Sequence, residues 1–176
     1  MKLSERDLEF DFTDAIDGLI FDQMDKTLPN YHGIGEFHRV DFIVELEKVF
    51  LFVEVKDPGN PRAEAKGIAK FSGELNDGTL SKTFAAKFMD SFIYRWAENK
   101  VDKPIHYISL VTLEAALLLN LSDEIERRLP PMGKQIPRWK RKPAEHCQVF
   151  NIETWNESFP KWPVVRVVGA VSEGKA

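Results

Sequence analysis

Asp41, Glu54 and Lys56 lie on two short apolar stretches, and their types and spacing could support metal-dependent chemistry. The segment 40–56 predicts two strands joined by a tight turn at Glu47-Lys48, which places Asp41 opposite Glu54. Side chains two residues apart on a strand share a face, so Lys56 projects beside Glu54. Two close carboxylates need a counter-charge, and Mg²⁺ or Mn²⁺ bound to oxygen ligands would provide it. With a lysine nearby, such a site has the parts needed for phosphodiester hydrolysis.

The alternation of apolar residues supports this pairing. One predicted face of the hairpin is entirely apolar and consists of Val40, Phe42, Val44, Leu46, Val49, Leu51, Val53 and Val55. A shift by one residue would mix apolar and charged side chains on that face, which a buried sheet does not tolerate. Glu47-Lys48 is an unfavourable two-residue turn, and a four-residue loop would keep the same pairing. The other face carries large apolar residues near the turn and is ionic at its open end, which we expect to form the floor of a cleft.

The same residues also have a purely structural interpretation. The two carboxylates could simply form ion pairs with Arg39 and Lys56 across the strands. A short motif of acidic and basic residues on a strand is common, so the residues alone leave both interpretations open.

Asp41, followed thirteen residues later by Glu54-Val55-Lys56 on the next predicted strand, resembles the PD-(D/E)xK signature of the restriction-endonuclease-like nucleases. The resemblance covers about residues 10–112, and Val40 stands where the signature has proline. It implies that Asp41, Glu54 and the carbonyl of Val55 bind Mg²⁺ (or Mn²⁺). It also implies that the catalytic residues are Asp41, Glu54 and Lys56, with Lys56 helping to activate water.

The resemblance further implies an α/β (α+β) fold, in which a central mixed β-sheet has a β-hairpin carrying the site and is flanked by helices. Many members have an additional acidic residue on a first helix. Thr13 is a suitable N-cap for such a helix, since Ala15, Ile16, Leu19 and Ile20 follow at helical spacing. The candidate acidic residues there are Asp14, Asp17 and Asp22, although solvated helix charges are the alternative.

Later segments predict the elements that would flank and extend the sheet. A helix after Ser81 has an apolar face on which Phe84, Phe88, Phe92 and Trp96 recur every four residues. The remaining predicted elements are a helical or irregular segment over 62–75, strands over 105–111, 148–152 and 164–168, and helices over 115–119 and 122–128.

Composition limits the class of protein. The chain has 176 residues, a net charge of -4 and a single cysteine, Cys147. This length suits a single domain, which we expect to span 1–176. One cysteine excludes an internal disulfide and a cysteine-rich zinc site. No secretory signal or bilayer-spanning apolar stretch is evident, so we expect a cytoplasmic protein without membrane association.

A basic, proline-rich loop is expected over about 129–146. Its candidate nucleic-acid-binding residues are Lys134, Arg138, Trp139, Lys140, Arg141 and Lys142. Lysine and arginine neutralise phosphates and a tryptophan can stack on a base, but a solvated loop is the alternative. We expect the C-terminus to be frayed over 171–176.

Two functional hypotheses follow. The first is a metal-dependent phosphodiesterase of the PD-(D/E)xK nuclease type, with Mg²⁺ (or Mn²⁺) as cofactor and DNA as the expected substrate. The alternative is a non-catalytic binding or regulatory module on the same fold, and an RNA-processing nuclease would share the site. A protein partner or a homodimer is compatible with either hypothesis.

Overall fold

The computed structural model describes residues 1–130 and 141–167, which form eight strands and five helices. The strands are β1 (Lys2–Glu5), β2 (Leu8–Asp11), β3 (Asp17–Ile20), β4 (Phe42–Glu45), β5 (Phe50–Lys56), β6 (Ile105–Val111), β7 (His146–Phe150) and β8 (Val164–Arg166). The helices are α1 (Ala65–Asn76), α2 (Thr79–Ala97), α3 (Ala115–Leu118), α4 (Leu121–Glu126) and α5 (Ile152–Ser158). Within the described ranges, no helix combines the length and apolar character required to cross a bilayer.

The strands form a mixed five-stranded sheet and a smaller antiparallel sheet. The larger sheet has the order β3-β4-β5-β6-β7, antiparallel from β3 to β5 and parallel from β5 to β7. The smaller sheet has the order β1-β2-β8. Helices α1 and α2 lie in the crossover between the parallel strands β5 and β6. The expected α+β class, with a mixed sheet, a hairpin and flanking helices, is confirmed.

The predicted register of the β4–β5 hairpin is also confirmed. Phe42 pairs with Val53 and Glu45 with Phe50, and the turn begins where the Leu46 N–H donates to the Val49 carbonyl at 2.9 Å. The face predicted to be apolar packs into one core cluster, which contains Phe42, Val44, Leu46, Leu51, Val53 and Val55. Val40 differs from the prediction and packs in the opposite cluster, since it precedes the strand.

Both faces of the hairpin are covered, which explains why the sequence is apolar on both. Helix α2 covers one face with Phe84 and Phe88, which are fully buried. The smaller sheet and α5 cover the other face, where Trp155 is fully buried. The apolar stripe predicted on α2 ends early, because Trp96 in its last turn is 62% exposed.

The prediction of a helix after Thr13 is wrong. Residues Asp17–Ile20 instead form β3, which pairs with the outer edge of β4. The physical reason is the free edge of β4, whose backbone groups need partners. The pairing continues beyond the strand ends, since the Ile16 N–H donates to the backbone carbonyl of Glu45 and the Phe21 N–H to that of Asp41.

The elements missed by sequence analysis lie at the two ends of the chain. Strands β1 and β2 were not predicted, and neither was α5. Helix α5 begins with a capping box in which Asn151 and Thr154 bond to each other's backbone N–H groups. Because this cap stops the preceding strand, β7 covers His146–Phe150 rather than 148–152.

Arg166 of β8 joins the two sheets through an ion cluster. Its guanidinium donates to both carboxylate oxygens of Asp57, at 2.6 and 2.8 Å, and to Asp7 at 2.8 Å. Burial alone would raise the pKa of Asp57, but hydrogen bonds from Arg166, Thr112 and Asn60 lower it to about 2. The cluster therefore fixes the residue that directly follows Lys56.

Replacing Arg166 by Met is expected to lower the free energy of unfolding by about 3 kcal/mol at pH 7, since it removes the cationic partner of Asp57, whose side chain is 4% exposed. The pKa of Asp57 is depressed, so its stabilisation is present above about pH 4 and lost as the pH falls towards 2. Urea denaturation at pH 7 and pH 3 measures this effect. The difference in free energy of unfolding between the wild type and Arg166→Met should be smaller at pH 3. Arg62→Met removes an exposed partner of Asp7 and should cost less than about 1 kcal/mol. If Arg166→Met and Arg62→Met lowered the free energy of unfolding equally, Arg166 would not be the main stabilising residue of this ion cluster.

Candidate functional site

Asp41, Glu54 and Lys56 converge at the open end of the β4–β5 hairpin. Asp41 directly precedes β4, and the last pairing of the ladder, Phe42 with Val53, sets it opposite Glu54. The Val55 N–H donates to Asp41 Oδ2 at 2.6 Å, which fixes the carboxylate against the neighbouring strand. Lys56 Nζ lies 2.7 Å from Glu54 Oε1. The structure thus brings together the three residues that the sequence singled out.

Glu54 is the centre of this cluster and has 0% of its surface exposed. A second lysine, Lys87, reaches it from α2, with Nζ 2.7 Å from Oε1 and 2.9 Å from Oε2. The same ammonium lies 3.8 Å from Asp41 Oδ1. Both ammonium groups therefore lie within ion-pair distance of Oε1, and this buried oxygen is shared between two lysines. We refer to Asp41, Glu54, Lys56 and Lys87 as the carboxylate–lysine cluster.

Lys87 was missed by sequence analysis although a signal exists. It lies between Phe84 and Phe88 on the face of α2 that covers the sheet. A lysine on a core-facing stripe is uncommon, because burial of its charge requires a partner. The partner, Glu54, is 33 residues away, so the sequence alone does not identify it.

The electrostatics of the cluster favour a proton or a cation at Glu54. Burial, followed by the charge of Asp41, raises the pKa of Glu54 to about 7, and the two lysines offset this only in part. Burial alone would lower the pKa of Lys56, but the charges of Glu54 and Asp41 outweigh it and raise this pKa. Near neutral pH Glu54 is therefore only partly ionised.

Glu5, at the end of β1, is a further acidic residue near the cluster. Its pKa is raised by burial and then by the charge of Asp41, and it also responds to Lys56 and Lys87. It comes from the smaller sheet rather than from a first helix. No motif indicates it, because its position depends on how the two sheets pack.

The three acidic residues predicted on a first helix have other partners. Asp14 accepts a hydrogen bond from the Trp162 indole, and Asp17 from the Gly18 N–H. Asp22 accepts from Arg39 Nε at 2.9 Å. Since Arg39 pairs with Asp22, it does not serve as the cross-strand partner of Glu54 that the structural interpretation offered.

The donor set fits a hard, oxygen-binding cation. Asp41 and Glu54 provide buried carboxylate oxygens, which already attract the ammonium groups of Lys56 and Lys87. In the parts of the chain that the structure describes, no group of three or more His, Cys, Asp or Glu residues could hold a metal. Mg²⁺ commonly uses one or two protein carboxylates and keeps several waters, so two carboxylates suffice.

Only two of the predicted nucleic-acid-binding residues lie within the described ranges. Lys134, Arg138, Trp139 and Lys140 lie outside the described residues, as does 171–176. Arg141 and Lys142 are exposed and border a cavity with residues 101–105, at the start of β6. Glu54 pairs with Ser109 towards the end of that strand, so Arg141 and Lys142 lie at the opposite end of the sheet from the cluster.

The comparisons with known proteins add no assignment to this geometry. No family model, no curated protein and no solved structure matches the chain.

Proposed function

We propose that the protein is a metal-dependent phosphodiesterase of the PD-(D/E)xK nuclease type that acts on DNA. The observation that carries this proposal is the convergence of Asp41, Glu54 and Lys56 in one buried patch at the end of a hairpin. The sheet that contains this hairpin, with β3 added antiparallel to β4 and β6 added parallel to β5, supports a restriction-endonuclease-like fold.

In this mechanism Asp41, Glu54 and the Val55 carbonyl would hold Mg²⁺ (or Mn²⁺), which would polarise the scissile phosphate and lower the pKa of bound water. The Val55 N–H orients Asp41 through Oδ2, so Oδ1, which lies 3.8 Å from Lys87 Nζ, would be the oxygen that binds the metal. Lys56 is the more exposed of the two lysines at Glu54, so it can reach a phosphate oxygen or the attacking water while staying on the strand. Burial of Glu54 keeps bulk water away from the ligand carboxylate.

The raised pKa of Glu54 gives the proposed site a pH dependence. A carboxylate ligand must be deprotonated, so metal affinity should increase as the pH rises through about 7. Bound metal in turn lowers the pKa of this carboxyl and shifts the profile to lower pH.

One observation favours the second candidate, a non-catalytic binding or regulatory module. Lys56 and Lys87 already neutralise the charges of Asp41 and Glu54 without a metal ion. A cluster balanced in this way could serve stability alone.

A cleavage assay decides between the candidates. Supercoiled plasmid, linear DNA and structured RNA are incubated with the full chain in Mg²⁺, in Mn²⁺ and in EDTA. We expect Mg²⁺-dependent cleavage of DNA that EDTA stops and that Asp41→Asn lacks, because Asn keeps the acceptor for the Val55 N–H but not the charge. Cleavage of RNA alone would identify the RNA-processing alternative. No cleavage of any substrate in either metal would favour the binding module.

A further inference from the structure

The position of Lys87 indicates a competition within the carboxylate–lysine cluster. We propose that Lys87 Nζ occupies the place of the cation, and that a divalent metal binds to Asp41 and Glu54 only by displacing it. The inference uses the same carboxylates as the proposed function, but it does not depend on cleavage.

Lys87 contacts both carboxylates, as a bound cation would. Its ammonium lies 2.7 and 2.9 Å from the two oxygens of Glu54 and 3.8 Å from Asp41 Oδ1. A magnesium ion binds oxygen at about 2.1 Å, so an ion on Glu54 and Asp41 would lie within a few ångströms of this ammonium. Two cations at that separation repel each other strongly where solvent is excluded.

Lys56 does not compete in the same way. It contacts Glu54 Oε1 but is more exposed, and it follows Glu54 on the same strand. Lys87 comes from a different element, and its side chain is 13% exposed. Its flexible stem allows the ammonium to leave the carboxylates while α2 stays packed on the sheet. A displaced Lys87 would stay near the cluster and could then bind an anion.

The decisive experiment measures metal affinity with Lys87→Met. Calorimetric titration of the full chain with Mg²⁺, and separately with Mn²⁺, is performed at pH 8, where Glu54 is mostly ionised. We expect Lys87→Met to bind at least about tenfold more tightly than the wild type, because the metal no longer displaces a charge. Lys82→Met is the matched control, an exposed lysine on the same helix, and should bind like the wild type.

The outcomes separate this inference from the proposed function. Equal or weaker binding by Lys87→Met, with clear binding by the wild type, overturns the inference and leaves the nuclease proposal intact. Binding by Lys87→Met alone supports the inference but shows that Lys87 has replaced the metal, which overturns the nuclease proposal. Absence of binding by either protein overturns both.

A second measurement covers the case in which Lys87→Met does not fold. Wild-type protein is treated with an amine-acetylating reagent with and without Mg²⁺, and modified lysines are quantified by mass spectrometry. We expect Mg²⁺ to increase acetylation of Lys87 severalfold, whereas Lys82 should react equally in both conditions. An unchanged or reduced reactivity of Lys87 in saturating Mg²⁺ would overturn the inference.

Discussion

Replacing Glu54 by Gln is expected to reduce Mg²⁺-dependent DNA cleavage by more than roughly a hundredfold, because loss of even an outer-shell partner of a metal ligand can cost 10–100-fold. Gln preserves the size of the side chain and removes the charge that would bind the cation. The initial rate of plasmid nicking at pH 8 measures this effect. Glu47→Gln makes the same chemical change in the exposed turn of the same hairpin and should leave the rate unchanged.

The same variant should gain stability in the absence of metal. The pKa of Glu54 is raised from 4.5 to about 7, so its favourable contribution is complete below about pH 4.5 and is lost as the pH rises through 7. Glu54→Gln does not titrate, so at pH 8 its free energy of unfolding should exceed that of the wild type. The two proteins should differ little near pH 4.5.

Melting curves with and without Mg²⁺ complete this test. Metal should raise the melting temperature of the wild type and of Glu47→Gln but not of Glu54→Gln, since a ligand stabilises only the state that binds it. A wild type indifferent to Mg²⁺ and Mn²⁺, together with a destabilised Glu54→Gln, would assign Glu54 to an ion pair and favour the binding module.

Replacing Lys56 by Met is expected to lower the cleavage rate at saturating Mg²⁺ by roughly 100-fold or more, the usual loss when a group that assists proton transfer is removed. Metal affinity should not weaken, because the change removes a positive charge from the vicinity of the cation. Comparing single-turnover cleavage with calorimetric Mg²⁺ binding separates the two effects. Lys48→Met, exposed in the hairpin turn, is the control.

Two results would contradict the role of Lys56. An unchanged cleavage rate would remove Lys56 from the reaction, and a loss of Mg²⁺ binding in step with activity would make it a structural support of Glu54. Both measurements are made at pH 8.5, because without Lys56 the pKa of Glu54 should be higher still.

The hairpin could be predicted because its information is local. A face made of Phe42, Val44, Leu51 and Val53 admits only one register, and that register determines which residue lies opposite Glu54. The apolar repeat of Phe84 and Phe88 similarly determined that α2 covers the sheet. In both cases one short stretch contains the whole pattern.

The remaining features depend on packing between distant segments. A helical spacing is present in Ala15, Ile16, Leu19 and Ile20. Residues 17–20 nevertheless form a strand, because they pair with the free edge of β4. Lys87 and Glu5 approach the cluster only because α2 and the smaller sheet lie on opposite faces of the hairpin. Their positions follow from tertiary structure, for which a single sequence provides no direct pattern.

The ion cluster around Arg166 has a consequence for the protein during its synthesis. Arg166 is separated from Asp57 by 109 residues and from Asp7 by 159, so both carboxylates leave the ribosome well before the guanidinium that they share. Until β8 docks, these like charges oppose the approach of the two chain segments that carry Glu5 and Lys56. We therefore expect the surroundings of the carboxylate–lysine cluster to be complete only after residue 166 has been translated.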